Sequence, residues 1–292
     1  MKTQRSESVI LFTSGSATLE QITPVLLTCN EAANIQRTLS CLGWAREIVV
    51  VDSGSTDATL QILKLFPKVR VFHRAFDTHA GQWRFATAET DIATEWILRL
   101  DADYQITADL VAEIARLDLA APVAAYQVPF GYAIFGRRLL SSLYPPNTIL
   151  LRRGHFTVHD HGHTEVWNIA GPVRPIGTRA VHDDRKPVEA WLTAQGRYMR
   201  REVARANQDT AGWKDRVRRA PPVMPIAVFV YCLVVKGLIF NGRAGLFYAL
   251  QRAVAEAILS MMVLEEKIRH SVEPQRESRP VIAHTLSAGS RT

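Results

Sequence analysis

Leu98-Arg99-Leu100-Asp101-Ala102-Asp103 is an apolar run that ends in two carboxylates two positions apart. Trp96 to Leu100 has the composition of a strand, and in an open α/β sheet the residues at a strand's C-terminal end face the crevice where ligands bind. Upstream, Ile48-Val49-Val50-Val51 is a second strand, continuous and β-branched as expected of one buried on both faces of a parallel sheet. It too runs into an acid, Asp52, and then into Ser53-Gly54-Ser55-Thr56-Asp57. Two strands that end in acid outline one pocket, and carboxylate oxygens suit Mg²⁺ or Mn²⁺ holding a diphosphate. Two aspartates by themselves also make an ordinary turn or helix cap. The apolar strand before them and the matched Asp52 are features that a cap does not need.

Outward from these strands the pattern alternates. Val25 to Leu27, behind Pro24, reads as a strand, and Ile35, Leu39 and Leu42 after Asn30-Glu31 lie at helical spacing. Thr56 or Asp57 is placed to cap a helix carrying Leu60, Leu63 and Leu65, which stops at Pro67. Val69 to Phe72 is a third strand, Ala80 to Thr90 a further helix, and Val111, Ile114, Ala115 and Leu117 mark a helix after the acidic pair. From Ala124 onward short runs are broken by Gly and Pro, which predicts mixed strands and long loops around the site. The class is therefore α/β, with a mostly parallel, Rossmann-like sheet and helices on both faces.

The chain of 292 residues, 47% hydrophobic, can bury one large core. We divide it into an N-terminal tail (1–22), a catalytic domain (23–190), a basic and apolar helical extension (191–270) and a disordered polar tail (271–292). A net charge of +7 favours an anionic partner without choosing one. Cys29, Cys41 and Cys232 form no C-x-x-C pair, and the N-terminal apolar run, Val9 to Phe12, is short for a signal peptide. A reducing, cytoplasmic location is expected. Absence of G-x-G-x-x-G and of a Gly-Lys-Ser/Thr loop removes the main support for dinucleotide and P-loop chemistry.

In the extension, Gln195 to Arg219 carries Arg197, Arg200, Arg201, Arg205, Lys214, Arg216, Arg218 and Arg219, followed by Pro221-Pro222 and the uncharged run Val223 to Val235. Such a run is short for a bilayer crossing, which takes ~20 apolar residues, and suits an interfacial segment or a buried core helix. With Lys236, Arg243 and Arg252 nearby, the expectation is peripheral attachment to the inner leaflet of the plasma membrane. Nucleic acid is not expected as a partner, since the basic stretch lacks any finger or aromatic RNA-binding signature.

Three motifs in order, Leu26-Leu27-Thr28-Cys29-Asn30-Glu31-Ala32-Ala33-Asn34-Ile35, Trp44 through Asp57, and Leu100-Asp101-Ala102-Asp103, resemble family-two glycosyltransferases of the GT-A fold, and among them the lipopolysaccharide-core β-glucosyltransferase subgroup. The resemblance runs from Val25 to Ala253. It implies a nucleotide-sugar donor site made by Thr28, Asn30, Glu31, Asp52, Ser53, Gly54 and Ser55, with Asp101 and Asp103 holding Mg²⁺ or Mn²⁺ on the diphosphate. Gln82 falls in the donor-site helix, where Arg84 stands in place of the usual Asn. Glu165, Gly171 and His182 reproduce the subgroup's intervals, although Thr164 precedes Glu165 and His163 is displaced by one. By this likeness Glu165 is the base and His182 a metal or phosphate ligand. Tyr144-Pro145-Pro146 and Leu151-Arg152-Arg153 echo the subgroup too, which puts Arg153 near the diphosphate or acceptor.

An inverting transfer is one in-line displacement that needs a base for the acceptor hydroxyl and a Lewis acid for the leaving diphosphate, and Glu165 with the aspartates would fill both posts. For Glu165 the bland alternative is a carboxylate paired with a neighbouring Arg. Alternation of His159, His161 and His163 would put all three on one strand face, as in a zinc site, but Asp160, Gly162 and Thr164 suggest a polar loop. The expected activity is transfer of a sugar to a hydroxyl of a glycolipid or cell-envelope polysaccharide precursor. The alternatives are transfer to a polyprenyl phosphate and a non-catalytic nucleotide-sugar-binding or membrane scaffold protein.

Overall fold

The computed structural model describes residues 16–161, 164–206 and 223–277. Along the first half β1 (Ile22–Thr28), α1 (Ile35–Ser40), β2 (Ile48–Asp52), α2 (Thr59–Leu63), β3 (Val69–His73), α3 (His79–Ala88) and β4 (Trp96–Asp101) alternate. Then come β5 (Tyr104–Gln105), α4 (Ala108–Ile114), β6 (Ala125–Val128), β7 (Phe130–Ile134), β8 (Arg137–Arg138), β9 (Asn147–Arg152), β10 (Phe156–His161), β11 (Thr164–Ile169), β12 (Val173–Pro175) and β13 (Ala180–His182). The remainder is helical: α5 (Val188–Ala206), α6 (Val223–Val230) and α7 (Gly242–Glu277), with a π-wound stretch Tyr231–Val235 and a 3-10 turn Leu238–Asn241 between the last two.

Seven strands form the main sheet in the order β12-β6-β9-β4-β1-β2-β3. β4, β1, β2 and β3 are mutually parallel, as the continuous apolar runs predict, whereas β9 is antiparallel to both β4 and β6. Alternate side chains point to opposite faces of each strand. Leu26, Val50, Leu98 and Leu100 pack with Ile35, Leu39, Leu63, Leu110 and Ile114 of α1, α2 and α4. Val25, Val49, Val51 and Ile97 pack on the other face with Ala80 and Trp83 of α3 and Val158 of β10. Leu26, Leu98 and Leu100 are fully buried, so truncating any one to Ala is expected to cost ~2 to 5 kcal/mol. A second, smaller sheet, β5-β13-β7-β8, sits beside the end of β4.

Two local readings are corrected. Leu65 is not on the helix: α2 ends at Leu63, and Leu65 is exposed because the chain has already turned toward Pro67. The polar tail does not begin at Ser271, since α7 runs through Glu277. One helical stretch, Leu238–Arg269, is long and apolar enough by length and composition to cross a bilayer, and more than a third of its most apolar window is buried inside the protein. It lies beyond the Val223 to Val235 run picked out in the sequence. Lys214, Arg216, Arg218, Arg219 and Pro221-Pro222 lie outside the described residues, as does most of the N-terminal tail.

Candidate active site

β1 and β2 end in register, Thr28 beside Asp52, and the loops that follow are knitted to each other. The Asp52 carboxylate accepts from the Thr28 and Ser55 hydroxyls at 2.9 and 2.6 Å and from the Gly54 and Ser55 amides at 3.0 and 2.8 Å. Burial works to raise its pKa, and the bonds from Ser55, Thr28 and Gly54 outweigh this and hold the carboxyl below the usual range. Gly54, at φ 90°, makes the turn that aims those amides. Ser53 donates its amide to the Thr28 carbonyl. Asn30, itself at φ 56°, clamps the same turn, its side-chain oxygen accepting from the Thr56 amide at 2.8 Å while its own amide donates to Ser55. Asp52 is thus the organiser of the rim, whose exposed residues include Cys29, Asn30, Gly54 and Thr56.

Leu27 of β1 lies beside Asp101 of β4, so the acidic pair emerges at the same edge of the sheet. Asp101 is exposed and Asp103 half-buried. β13 runs beside both β5 and β7, which sets His182 opposite Tyr104 on one side and Tyr132 on the other. His182 Nε2 lies 3.3 Å from Asp103 Oδ2, and the imidazole stacks on Tyr132 with ring centres 4.6 Å apart. Tyr144 approaches from a third side, its hydroxyl hydrogen-bonded to that of Tyr104 at 2.5 Å. Burial raises the Asp103 carboxyl against the pull of His182.

Asp103 Oδ1 and His182 Nδ1 are buried without a hydrogen-bond partner. An unpartnered carboxylate oxygen beside a second, exposed carboxylate fits Mg²⁺ or Mn²⁺, which complete their shells with phosphate and water, and an imidazole nitrogen nearby suits Mn²⁺ of the two. Among the described residues no three His, Cys, Asp or Glu side chains converge closely enough to cage a metal by themselves. Any ion here would take further oxygens from water or a bound phosphate.

Directly after His182 comes a charged run that sequence reading passed over, Asp183-Asp184-Arg185-Lys186. Asp183 is buried, with Arg37 and Arg185 on one carboxylate oxygen at 2.8 and 2.9 Å and the Gly136 amide on the other at 3.1 Å. Asp184 accepts from Asn34 at 2.8 Å, and Lys186 meets Glu31 at 2.6 Å. Burial pushes the Glu31 carboxyl up to about 7 against the pull of Lys186, while Lys186, which burial alone would lower, is raised by Glu31. The density of charge straight after His182 was the available signal for this cluster.

Glu165, on β11, faces the sheet beside Trp167 and lies 3.5 Å from Arg99 Nη1. Arg99 stands two residues before Asp101 and so on the same face of β4. Its guanidinium lies over the Trp167 and Trp83 rings at 4.7 and 5.6 Å and donates to Asn147 at 2.7 Å. The Arg partner named as the bland alternative for Glu165 is present, but it is a buried Arg of the central strand.

One candidate sits apart from this crevice. Arg153 is a correction: its amide donates to the Glu95 carbonyl and its guanidinium to the carbonyls of Ile92 and Thr94. β9 is antiparallel to β4 and pairs Arg152 with Trp96, which leaves Arg153 at the far end of β4, about 17 Å of strand from Asp101. Gln82 is buried under the 74–75 loop, donating to the carbonyls of Arg74 and Ala75, with its Oε1 unpartnered. Arg84 bridges α3 to the Val158 carbonyl and Asp160 of β10. His159 bonds Thr157, whereas the His161 and His163 side chains lie outside the described residues.

The chain is similar to several known proteins. Two uncharacterized glycosyltransferases, from Rickettsia bellii and Rickettsia felis, are 36% and 35% identical to the chain over 96 and 97 residues. These alignments cover about a third of this chain and span about a third of the length of the curated relatives. Among solved structures, S. aureus TarS 1-349 in complex with UDP-GlcNAc matches with a TM-score of 0.44 and 13% identity, over 86% of this chain and 92% of that one. Glucosyl-3-phosphoglycerate synthase from Mycobacterium tuberculosis in complex with phosphoglyceric acid matches with a TM-score of 0.43 and 16% identity, over 64% of this chain and 82% of that one. The sequence model described as Glycosyl transferase family 2 matches residues 24–171, more than half of the 292, and the chain belongs to that family.

Proposed function

We propose that the protein is an inverting, metal-dependent glycosyltransferase that moves a sugar from a nucleotide-sugar donor to a hydroxyl of a glycolipid or cell-envelope polysaccharide precursor, working from the cytoplasmic side at the membrane surface. The observation that carries this reading is the convergence, at one edge of the parallel sheet, of the Asn30 to Asp57 rim with the Asp103 and His182 pair. The rim offers exposed polar groups to a nucleoside, and Lys186, beside Glu31, brings positive charge toward the donor phosphates. Asp103 and His182 would hold the cation, which supplies Lewis-acid stabilisation of the leaving diphosphate. Glu165 is assigned to take the acceptor proton, and Arg99, clamped between two tryptophans, orients it.

The Arg99 to Glu165 ion pair also favours one second reading, transfer to a polyprenyl phosphate, because that acceptor needs no strong base and a paired carboxylate could then be structural. A thermal-shift screen of UDP-, GDP- and TDP-sugars with and without Mn²⁺ tests the donor site. A ligand at 100 times its dissociation constant stabilises by ~2.7 kcal/mol, and Asp103→Asn or His182→Ala should abolish the Mn²⁺-dependent part. Absence of any nucleotide-dependent shift would overturn the reading. Glu165→Gln should keep donor binding and lose transfer to a hydroxyl. Unchanged turnover in that variant would move the assignment to the phosphate acceptor.

A further inference from the structure

None of residues 223–255 is acidic, and neither is any of residues 129–147. These two segments are distant in sequence and joined in space: Leu140 donates its amide to Asn241 at 3.1 Å, Ser141 its hydroxyl to the Lys236 carbonyl at 2.6 Å, and Leu143 its amide to the Tyr248 hydroxyl at 2.8 Å. Beneath the seam lies a small core of Ile134, Leu139, Cys232, Leu238, Ala244 and Tyr248. Gly245 lets α7 come close here, since a Cβ at that position would sit 1.9 Å from the Leu238 carbonyl oxygen.

Above the seam the side chains are apolar and in water. Ile226, Val230 and Val234 follow one another at intervals of four, and Phe240 at 81% exposure and Leu140 at 62% extend the same surface. A monomer has no use for so contiguous an apolar face. Its cations are Arg137, Arg138 and Arg243, all exposed, and Lys236, half-buried over the Tyr231 ring.

We propose that the hairpin of β7 and β8, α6 and the turn between α6 and α7 form one docking face for an anionic phospholipid bilayer. Apolar side chains without an acid among them, set with cations, complement a surface that is greasy within and negative at its headgroups. The same elements reach the transfer site. A shallow cleft is lined by Phe135, Trp191, Phe247 and Tyr132 together with Asp184 and Lys186. Tyr132 is the ring stacked on His182, and Phe135 and Phe247 meet with centres 6.1 Å apart. Docking this face therefore brings the cleft to the lipid surface, where an amphipathic acceptor enters. Only that consequence rests on the transferase reading, because docking is scored without donor or acceptor.

The test is flotation of the full chain with vesicles of phosphatidylcholine alone or mixed with phosphatidylglycerol. Binding is expected to the mixed vesicles, to weaken with salt, and to fall by ~5-fold for each cation neutralised in Arg137→Gln and Arg138→Gln. Ile226→Asp and Val234→Asp should lose binding to both vesicles while keeping the circular dichroism melt of the parent, since both side chains are exposed. Equal affinity for the two vesicles, or parental binding by the Asp variants, would overturn the proposal. So would a concentration-dependent dimer in sedimentation velocity that the Asp variants dissociate, which would assign the face to a second copy. Failure of the nucleotide screen with vesicle binding intact would remove the transferase reading and leave the docking face.

Discussion

Glu31 is a carboxylate caught between burial and a cation. Its pKa is about 7 in the folded chain against 4.5 when free, so the folded state holds that proton more tightly. The resulting stabilisation is complete below 4.5 and is lost as pH rises through 7. Measured against Glu31→Gln, the parent's unfolding free energy should fall across that window by up to about 3 kcal/mol. A pH-independent difference between the two would contradict the assignment. Asp52 behaves in the opposite sense, because its bonds to four donors favour the ionised form. Asp52→Ala should cost roughly 3 kcal/mol by urea unfolding and Asp52→Asn roughly 1, since Asn keeps an acceptor for the Gly54 and Ser55 amides.

At the scale of elements, strand direction decides which residues share a site. Arg152-Arg153 looks like a phosphate-binding pair in sequence, yet β9 runs opposite to β4 and delivers it to the far end of the sheet. Arg153→Ala should therefore lower stability by about 1 to 2 kcal/mol while leaving nucleotide affinity, measured by titration calorimetry, unchanged. A tenfold loss of nucleotide affinity would restore it to the donor site. The parallel strands were legible because burial on both faces demands unbroken Val, Ile and Leu, whereas the ends of helices were not. Leu65, two residues past Leu63, lies outside α2 because the helix has wound off by Lys64, before Pro67.

Across the whole molecule, the C-terminal helices pack against the smaller sheet and each other. α7 covers Ile134, Leu139 and Tyr132 and holds Leu143 through Tyr248, and α5 packs on it through Met199 and Val203. A chain ending at residue 241 strips this cover and should be recovered largely aggregated, a result read from soluble yield and near-UV dichroism. Full recovery of a folded chain would show that the helix from Gly242 to Glu277 is dispensable for the fold. The run of Val, Ile and Leu that ends in Asp52, and the one that ends in Asp101, determined the class and the edge of the sheet bearing the site, because strand burial and chain direction are local properties. Which carboxylates remain free there was decided by the tertiary structure alone. Hydrogen-bond donors from Thr28, Ser55, Arg37, Arg185 and Lys186 arrive from a strand, a helix and separate loops, and only their meeting in space determines that Asp52, Asp183 and Glu31 are engaged while Asp101 stays open and an oxygen of Asp103 goes unpartnered.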